Sequence, residues 1–207
     1  VWNKQGAELE DAQARRALLG RLAKGEDWES VRQALDALDR KRTVLERMRD
    51  RFPGWFGRFV CAHFAPFLDE PVRTVEQRKA FDTVIEYLDG VTFKLPEDLQ
   101  AYLEETEDVL DGDALNKINS ALAQAVQNPE AYIEENRGII EQYRAVTASA
   151  EYQESPAGRL QTALKRLLAE AGYNDVFIPA MRRLSPKYAQ YYTALQEANA
   201  AFVEALQ

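Results

Sequence analysis

The sequence predicts an all-α protein, a multi-helix bundle of about ten helices joined by short turns. Along most of the 207 residues, apolar side chains recur at three- and four-residue spacing, as on the buried face of a helix. Cap residues, prolines or glycines stand at the ends of most of these segments. Alternation with a period of two, which is typical of strands, appears nowhere over the length of a strand.

Two helices are predicted before the first turn. Residues 5–24 carry an apolar face and are followed by Gly25, a residue that commonly follows the end of a helix. Asp27 is placed to cap the next helix, which runs to about Arg51. Its apolar positions form a narrow seam that Arg42 interrupts. We expect the stem of Arg42 to lie over this seam and its charged head to stay in water.

Residues 52–68 form the densest apolar segment of the chain. The segment holds five of the nine phenylalanines, one of three tryptophans, and the only cysteine and histidine. Pro53 and Gly54 end the preceding helix, and aromatic residues at helical spacing predict a short helix that Pro66 ends or kinks. We expect this segment to be the centre of the core, so that Phe59→Ala costs about 3–5 kcal/mol of stability.

The rest of the chain predicts seven further helices, each with a recognisable start signal. Thr74 and Gln77 form a capping box, and the helix they begin stops at Gly90. A proline in the first turn marks the start of other predicted helices. The predicted start signals are Thr74, Pro96, Gly112 before residues 113–127, Asn128, Ser155, Asn174 or Asp175, and Ser185. We predict a single domain over residues 1–207, and the alternative of two lobes, residues 1–90 and 96–207, stays open.

Composition limits the classes of protein. The net charge of −8 argues against general nucleic-acid binding, which requires clustered lysine and arginine. A single cysteine, Cys61, cannot form an internal disulfide, which favours a cytoplasmic protein. The longest uncharged run of the aromatic segment, residues 59–68, is far shorter than the roughly 20 residues of a membrane span. The abundance of arginine and alanine in helical segments is in the style of bacterial proteins.

The first residues leave a different location open. The chain begins at Val1 without a methionine, which indicates a piece of a longer protein or a processed one. Trp2 is followed by polar residues, and tryptophan is enriched where a chain leaves a membrane. An extracytoplasmic domain of a membrane-anchored protein is therefore an alternative interpretation.

The sequence excludes several chemistries. One histidine and one cysteine cannot supply the ligand sets of di-iron bundles, of His-Glu-x-x-His zinc sites or of Cys-x-x-Cys sites. Cys61 and His63 are the one nucleophile–base pair on offer, but residues two apart on a helix diverge. We therefore expect a buried thiol and a packed imidazole, although His63 could in principle be an axial haem ligand. No cofactor is predicted. A carboxylate-only active site stays open, because 34 acidic residues offer many pairs.

Charge is distributed unevenly along the chain. Residues 97–113 contain eight carboxylates and no base, among them the candidate contact residues Glu104, Glu105 and Asp108. Residues 40–51 contain six bases and two acids. A solvated helix face is the ordinary interpretation of such runs. The sharper interpretation is that the two tracts face oppositely charged partners or each other.

Three functional hypotheses follow. The first is a non-enzymatic helical domain for protein–protein interaction or regulation, part of a larger protein or complex, with a protein partner and with self-association left open. The second is a small-ligand or lipid-binding domain whose aromatic pocket is formed by Trp55, Phe59, His63 and Phe64. The third is an enzyme with a carboxylate site.

Overall fold

The computed structural model describes residues 4–106 and 112–205. Over these two ranges it contains eleven α-helices and no β-strand, which confirms the predicted all-α class. The helices are α1 (Lys4–Ala23), α2 (Trp28–Arg51), α3 (Gly54–Phe64), α4 (Val75–Gly90), α5 (Glu97–Glu105), α6 (Gly112–Gln127), α7 (Pro129–Ala148), α8 (Ala150–Glu154), α9 (Pro156–Glu170), α10 (Ile178–Leu184) and α11 (Pro186–Ala205). A 3-10 turn (Ala65–Phe67) follows α3, and a π-helical turn (Tyr173–Phe177) precedes α10.

Side-chain caps fix where several helices begin. The carboxylate of Asp27 accepts a hydrogen bond from the backbone N–H of Ser30 at 3.1 Å, as predicted for the start of α2. At the start of α4, Thr74 Oγ1 accepts from the N–H of Gln77, and the Gln77 side chain accepts from the N–H of Thr74, both at 3.1 Å. The capping box is thus complete. The other predicted caps that are in place are Asn128, Ser155 and Ser185.

The predicted cap at Asn174 or Asp175 is wrong. The chain leaves α9 through Gly172, whose φ of 70° lies in the left-handed region that glycine tolerates. The π-helical turn begins immediately afterwards, and the N–H of Val176 donates to the carbonyl of Gly172 at 2.8 Å. The backbone of this turn runs directly into α10, which therefore begins without a side-chain cap.

Two smaller differences concern the start of α5 and the segment that follows α7. Pro96 is the N-cap residue of α5 and does not lie in its first turn. A short helix, α8, was not predicted: Ser149 ends α7 and caps α8 by accepting from the N–H of Tyr152 at 3.2 Å. Apolar periodicity alone does not show this break, because α8 buries no residue fully.

The largest core cluster joins α2, α3 and α4 to α10 and the start of α11. Phe64 is 1% exposed, and its ring meets the ring of Phe177 edge-on at 5.3 Å between centroids and that of Tyr188 at 5.1 Å. Phe52 and Phe67 are buried in the same cluster. The prediction that the aromatic segment lies at the centre of the core is therefore confirmed for these three phenylalanines.

Close contact between α2 and α3 depends on Gly57. A Cβ atom at this position would lie 2.5 Å from the carbonyl oxygen of Phe52, a distance that real Cβ atoms essentially never show. Gly54, where α3 begins, has a φ of 51°. These glycines allow the chain to reverse within a few residues after Arg51 and to place α3 against α2.

A second, smaller cluster lies between α5 and α9. It consists of the buried leucines Leu99, Leu103, Leu160 and Leu164, with Trp55 and Phe56 of α3 packed against it. Helices α6, α7 and α11 contact one another. Residues 177–188 pack into the core that residues 44–91 build, so the C-terminal part of the chain completes the N-terminal core. The single domain over residues 1–207 stays a prediction, with two lobes as its alternative.

Candidate functional site

Three of the four predicted aromatic site residues form one contact network on α3. The imidazole of His63 is stacked on Phe59, with 6.2 Å between centroids and an interplanar angle of 27°. It also meets Phe64 edge-on at 4.9 Å and Tyr191 of α11 edge-on at 5.5 Å. Burial lowers the pKa of His63 to about 4, so the imidazole is neutral at pH 7.

The fourth residue, Trp55, faces a different part of the fold. It packs against the leucine cluster of α5 and α9, and its indole Nε1 is buried without a hydrogen-bond acceptor among the described residues. Phe64, at 1% exposed, presents no surface to a ligand and acts as a core residue. The aromatic pocket of the second hypothesis stays a prediction.

Cys61 and His63 do not meet as nucleophile and base. The Cys61 thiol is 4% exposed and donates a hydrogen bond to the carbonyl of Leu45 at 3.3 Å, across the contact between α3 and α2. Burial raises the pKa of the Cys61 thiol to about 12, which keeps it protonated. The expected buried thiol beside a packed imidazole is what the structure contains.

The acidic tract is only partly described. Asp108, a candidate contact residue, lies outside the described residues. Glu104 and Glu105 are exposed in the last turn of α5 and have no ion-pair partner among the described residues. Asp98, at the other end of α5, pairs with Arg159 of α9 at 2.7 Å. The carboxylates of the last turn lie where the negative end of the helix dipole disfavours them.

Replacing Glu104 and Glu105 together by glutamine should leave the melting temperature unchanged or raise it slightly. The double variant removes two adjacent negative charges from the C-terminal end of a helix. Glu29→Gln is the matched control, because Glu29 pairs with Arg32 at 2.6 Å and its replacement should lower the melting temperature. Thermal unfolding followed by circular dichroism measures both. A clear loss of stability in the double variant would assign these glutamates a structural partner.

The two charged tracts do not face each other in the described residues. Lys41 pairs with Asp69 at 2.5 Å and Arg47 with Asp89 at 2.8 Å, so these bases bind carboxylates from α4 or from the segment before it. Arg42, half exposed, keeps its head in water as predicted, with Asp39 at 3.6 Å. Of the six bases in this tract, Arg40 and Arg51 have no ion pair among the described residues.

Arg40 lies in a groove between α2 and α4 that has a volume of about 880 Å³. Four arginines line it, Arg32 and Arg40 from α2, Arg73 from the segment before α4, and Arg78 from α4. Two carboxylates, Asp36 and Asp82, also line the groove, and the side chains of Pro71, Val72 and Phe81 add apolar surface. Of the four, only Arg32 is neutralised within the groove: it pairs with Asp36 at 3.0 Å.

The other three groove arginines have no ion pair within the described part of the chain. Among them Arg40 is partly buried, whereas Arg73 and Arg78 are exposed. Burial lowers the pKa of Arg40, and repulsion from the Arg78 guanidinium lowers it further, although Asp36 and Asp39 act in the opposite direction. An arginine cation that is partly desolvated, makes no ion pair and is repelled by another cation favours an anionic ligand.

The sequence did not indicate this groove. It marked Arg40 as one member of a basic run, and it did not single out Arg32, Arg73 or Arg78. The available signal is the spacing of Arg32, Asp36 and Arg40 on one face of α2, but this pattern is equally typical of a solvated helix. This face of α2 becomes one wall of a groove only because α2 contacts α4, and that contact arises from tertiary packing.

Comparisons with protein-family models, with curated proteins and with solved structures find no match. Among the residues described, no three His, Cys, Asp or Glu side chains are grouped so that they could hold a metal ion. No helix of the described ranges combines the length and the hydrophobicity needed to cross a bilayer.

Proposed function

We propose that this protein is a non-enzymatic interaction domain that binds an anionic segment of a partner protein in the groove between α2 and α4. The observation that carries the proposal is the set of three arginines, Arg40, Arg73 and Arg78, that line this groove without an ion-pair partner in the described residues. Guanidinium groups form two parallel hydrogen bonds with a carboxylate or phosphate, which gives both affinity and orientation.

A short anionic segment suits the groove better than an extended polyanion. The protein as a whole carries a net charge of −8, so a nucleic acid or an anionic membrane surface is repelled by most of it. The groove is a local region of opposite sign, and its apolar residues Val72 and Phe81 provide contacts for a side chain or backbone beside the charge. The state of Cys61 and His63, one protonated and one neutral, supports a binding function over nucleophilic catalysis. A cytoplasmic location is part of the proposal, since a single buried thiol requires no oxidising compartment.

Replacing Arg40 and Arg78 together by glutamine should weaken binding of an acidic peptide by at least about tenfold. Each guanidinium contributes charge-assisted hydrogen bonds worth roughly 1.5–3 kcal/mol, and about 1.4 kcal/mol corresponds to a factor of ten. The measurement is fluorescence anisotropy of a labelled twelve-residue peptide of alternating glutamate and alanine, at low and at physiological salt. Affinity of the wild type should fall as salt rises, because exposed charges are screened.

The matched control is Arg51→Gln combined with Arg166→Gln. Both residues are exposed and neither lines the groove. This variant therefore also removes two positive charges, but from elsewhere on the surface. It should keep the affinity of the wild type within about twofold. Equal losses in the two double variants would show that the peptide responds to net charge alone, and the groove would then have no assigned role.

A further inference from the structure

Resting on the proposed function, we infer that the groove recognises a phosphoryl group on the partner segment, held between Arg40 on α2 and Arg78 on α4. A phosphorylated serine, threonine or tyrosine carries close to two negative charges at pH 7 and three strong acceptor oxygens. A glutamate or aspartate carries one charge and two oxygens. The charge and the donors of the groove match the phosphoryl group.

The charge of the groove favours an anion that carries more than one negative charge. Four guanidinium groups and two carboxylates line it, which leaves two positive charges in excess. Because Arg32 pairs with Glu29 at 2.6 Å and with Asp36 at 3.0 Å, the positive charge without an ion-pair partner lies on Arg40, Arg73 and Arg78. A phosphate dianion compensates more of this positive charge than one carboxylate does.

The donors come from two walls of the groove. Arg40 and Arg78 belong to different helices and line the same groove, so an anion bound there would lie among donors from both walls and reduce the repulsion between the two cations. Arg73 lies on the segment that leads into α4, along the same groove. Five N–H donors on each guanidinium can supply bidentate contacts to the phosphate oxygens from both walls.

The shape and charge of the protein favour a peptide over a lipid as the bearer of the phosphate. The groove extends over about 880 Å³, a volume well beyond that of a phosphate ion and within the usual range of ligand sites. Its apolar residues, Pro71, Val72 and Phe81, lie beside the arginines, where side chains or backbone flanking the phosphoserine could pack. A membrane surface with many anionic headgroups would also be repelled by the protein, because its net charge is −8.

The test uses three blocked peptides, Ala-Gly-Ala-X-Ala-Gly-Ala, in which X is phosphoserine, glutamate or serine. Binding is followed by the side-chain Nε–H signals of arginine in ¹H–¹⁵N NMR spectra of the full chain, which detect affinities in the millimolar range. We expect the phosphoserine peptide to shift the signals of Arg40 and Arg78 and to bind at least about tenfold more tightly than the glutamate peptide. Arg78→Gln, at an exposed position that should not disturb folding, should abolish most of this preference, and Arg166→Gln should preserve it.

A pH series separates phosphate from carboxylate. The second pKa of a phosphate monoester is near 6, so lowering the pH from about 7.5 to 5.5 should weaken phosphoserine binding about fourfold. Arginine stays charged at both values, so the guanidinium groups of the groove do not reproduce this effect. Binding of the glutamate peptide should stay constant.

The outcomes distinguish failure of the phosphate inference from failure of the proposed function. Equal affinity for the phosphoserine and glutamate peptides overturns the phosphate inference and leaves the anionic groove standing. Failure of every peptide to shift Arg40 and Arg78, together with failure of the glutamate-rich peptide described above, overturns both. If vesicles that contain phosphatidic acid bind through Arg78 and the peptides do not, the phosphate-bearing partner is a lipid and the inference about a peptide is wrong.

Discussion

Replacing Phe64 by alanine should lower the free energy of unfolding by about 3–5 kcal/mol, the range for a phenylalanine deleted from a packed interior. Phe64 is 1% exposed, and its ring contacts those of Phe177 and Tyr188. The cavity would open at the point where α3 meets α10 and α11, so both the lost burial and the lost ring contacts add to the cost. Urea unfolding followed by circular dichroism at constant pH gives the difference.

Phe59→Ala is the matched comparison. Phe59 lies on the same helix but is only partly buried, packed against the edge of the core. Its replacement should cost about 1–2.5 kcal/mol, because less apolar area is removed from the interior. The larger cost expected from sequence alone assumed that the whole segment was interior. If the two variants lose the same stability, Phe59 and Phe64 do not differ in burial in solution.

Local chemistry made the helix boundaries predictable. Asp27 and Thr74 cap their helices through side chains three residues from their partners, so the sequence contains both members of each pair. The π-helical turn after Gly172 lacks such a signal, since its backbone bonds replace the side-chain cap that Asn174 or Asp175 would provide. The position of α10 in the core, against α4, also depends on contacts between residues far apart in the chain.

The aromatic and acidic candidates were predictable as segments and not as sites. Helical periodicity placed residues 52–68 on a helix, but it could not show that Phe64 points into the core and Trp55 towards a second cluster. The groove depends even more on distant residues. Lys41 and Arg47 are neutralised by Asp69 and Asp89, respectively 28 and 42 residues away, and only the folded chain shows that Arg40 is left without such a partner.

The stability of this protein should decrease as the pH falls from about 6.5 to 4, and His63 should account for on the order of 3 kcal/mol of the loss. The pKa of His63 is lowered from its ordinary value of 6.5 to about 4 because the imidazole is surrounded by aromatic rings. Between these pH values the unfolded chain binds a proton at this residue and the folded chain does not. The unfolded state is therefore favoured progressively as the pH drops through this window.

A single histidine makes this prediction directly measurable. The chain contains one imidazole, so one set of ring signals in an NMR titration reports the pKa of His63 without any assignment step. Unfolding free energies of the wild type and of His63→Phe, measured in urea at pH 7 and at pH 4.5, should differ in their pH dependence by about 2–3 kcal/mol, with the variant less sensitive. Protonation of carboxylates in ion pairs, such as Glu29 beside Arg32, also lowers the stability of the protein at acidic pH. This loss is equal in both proteins and cancels in the difference between them. An imidazole that titrates near 6.5 in the folded protein, or identical pH profiles for the two proteins, would mean that the rings around His63 open to water and do not enclose it.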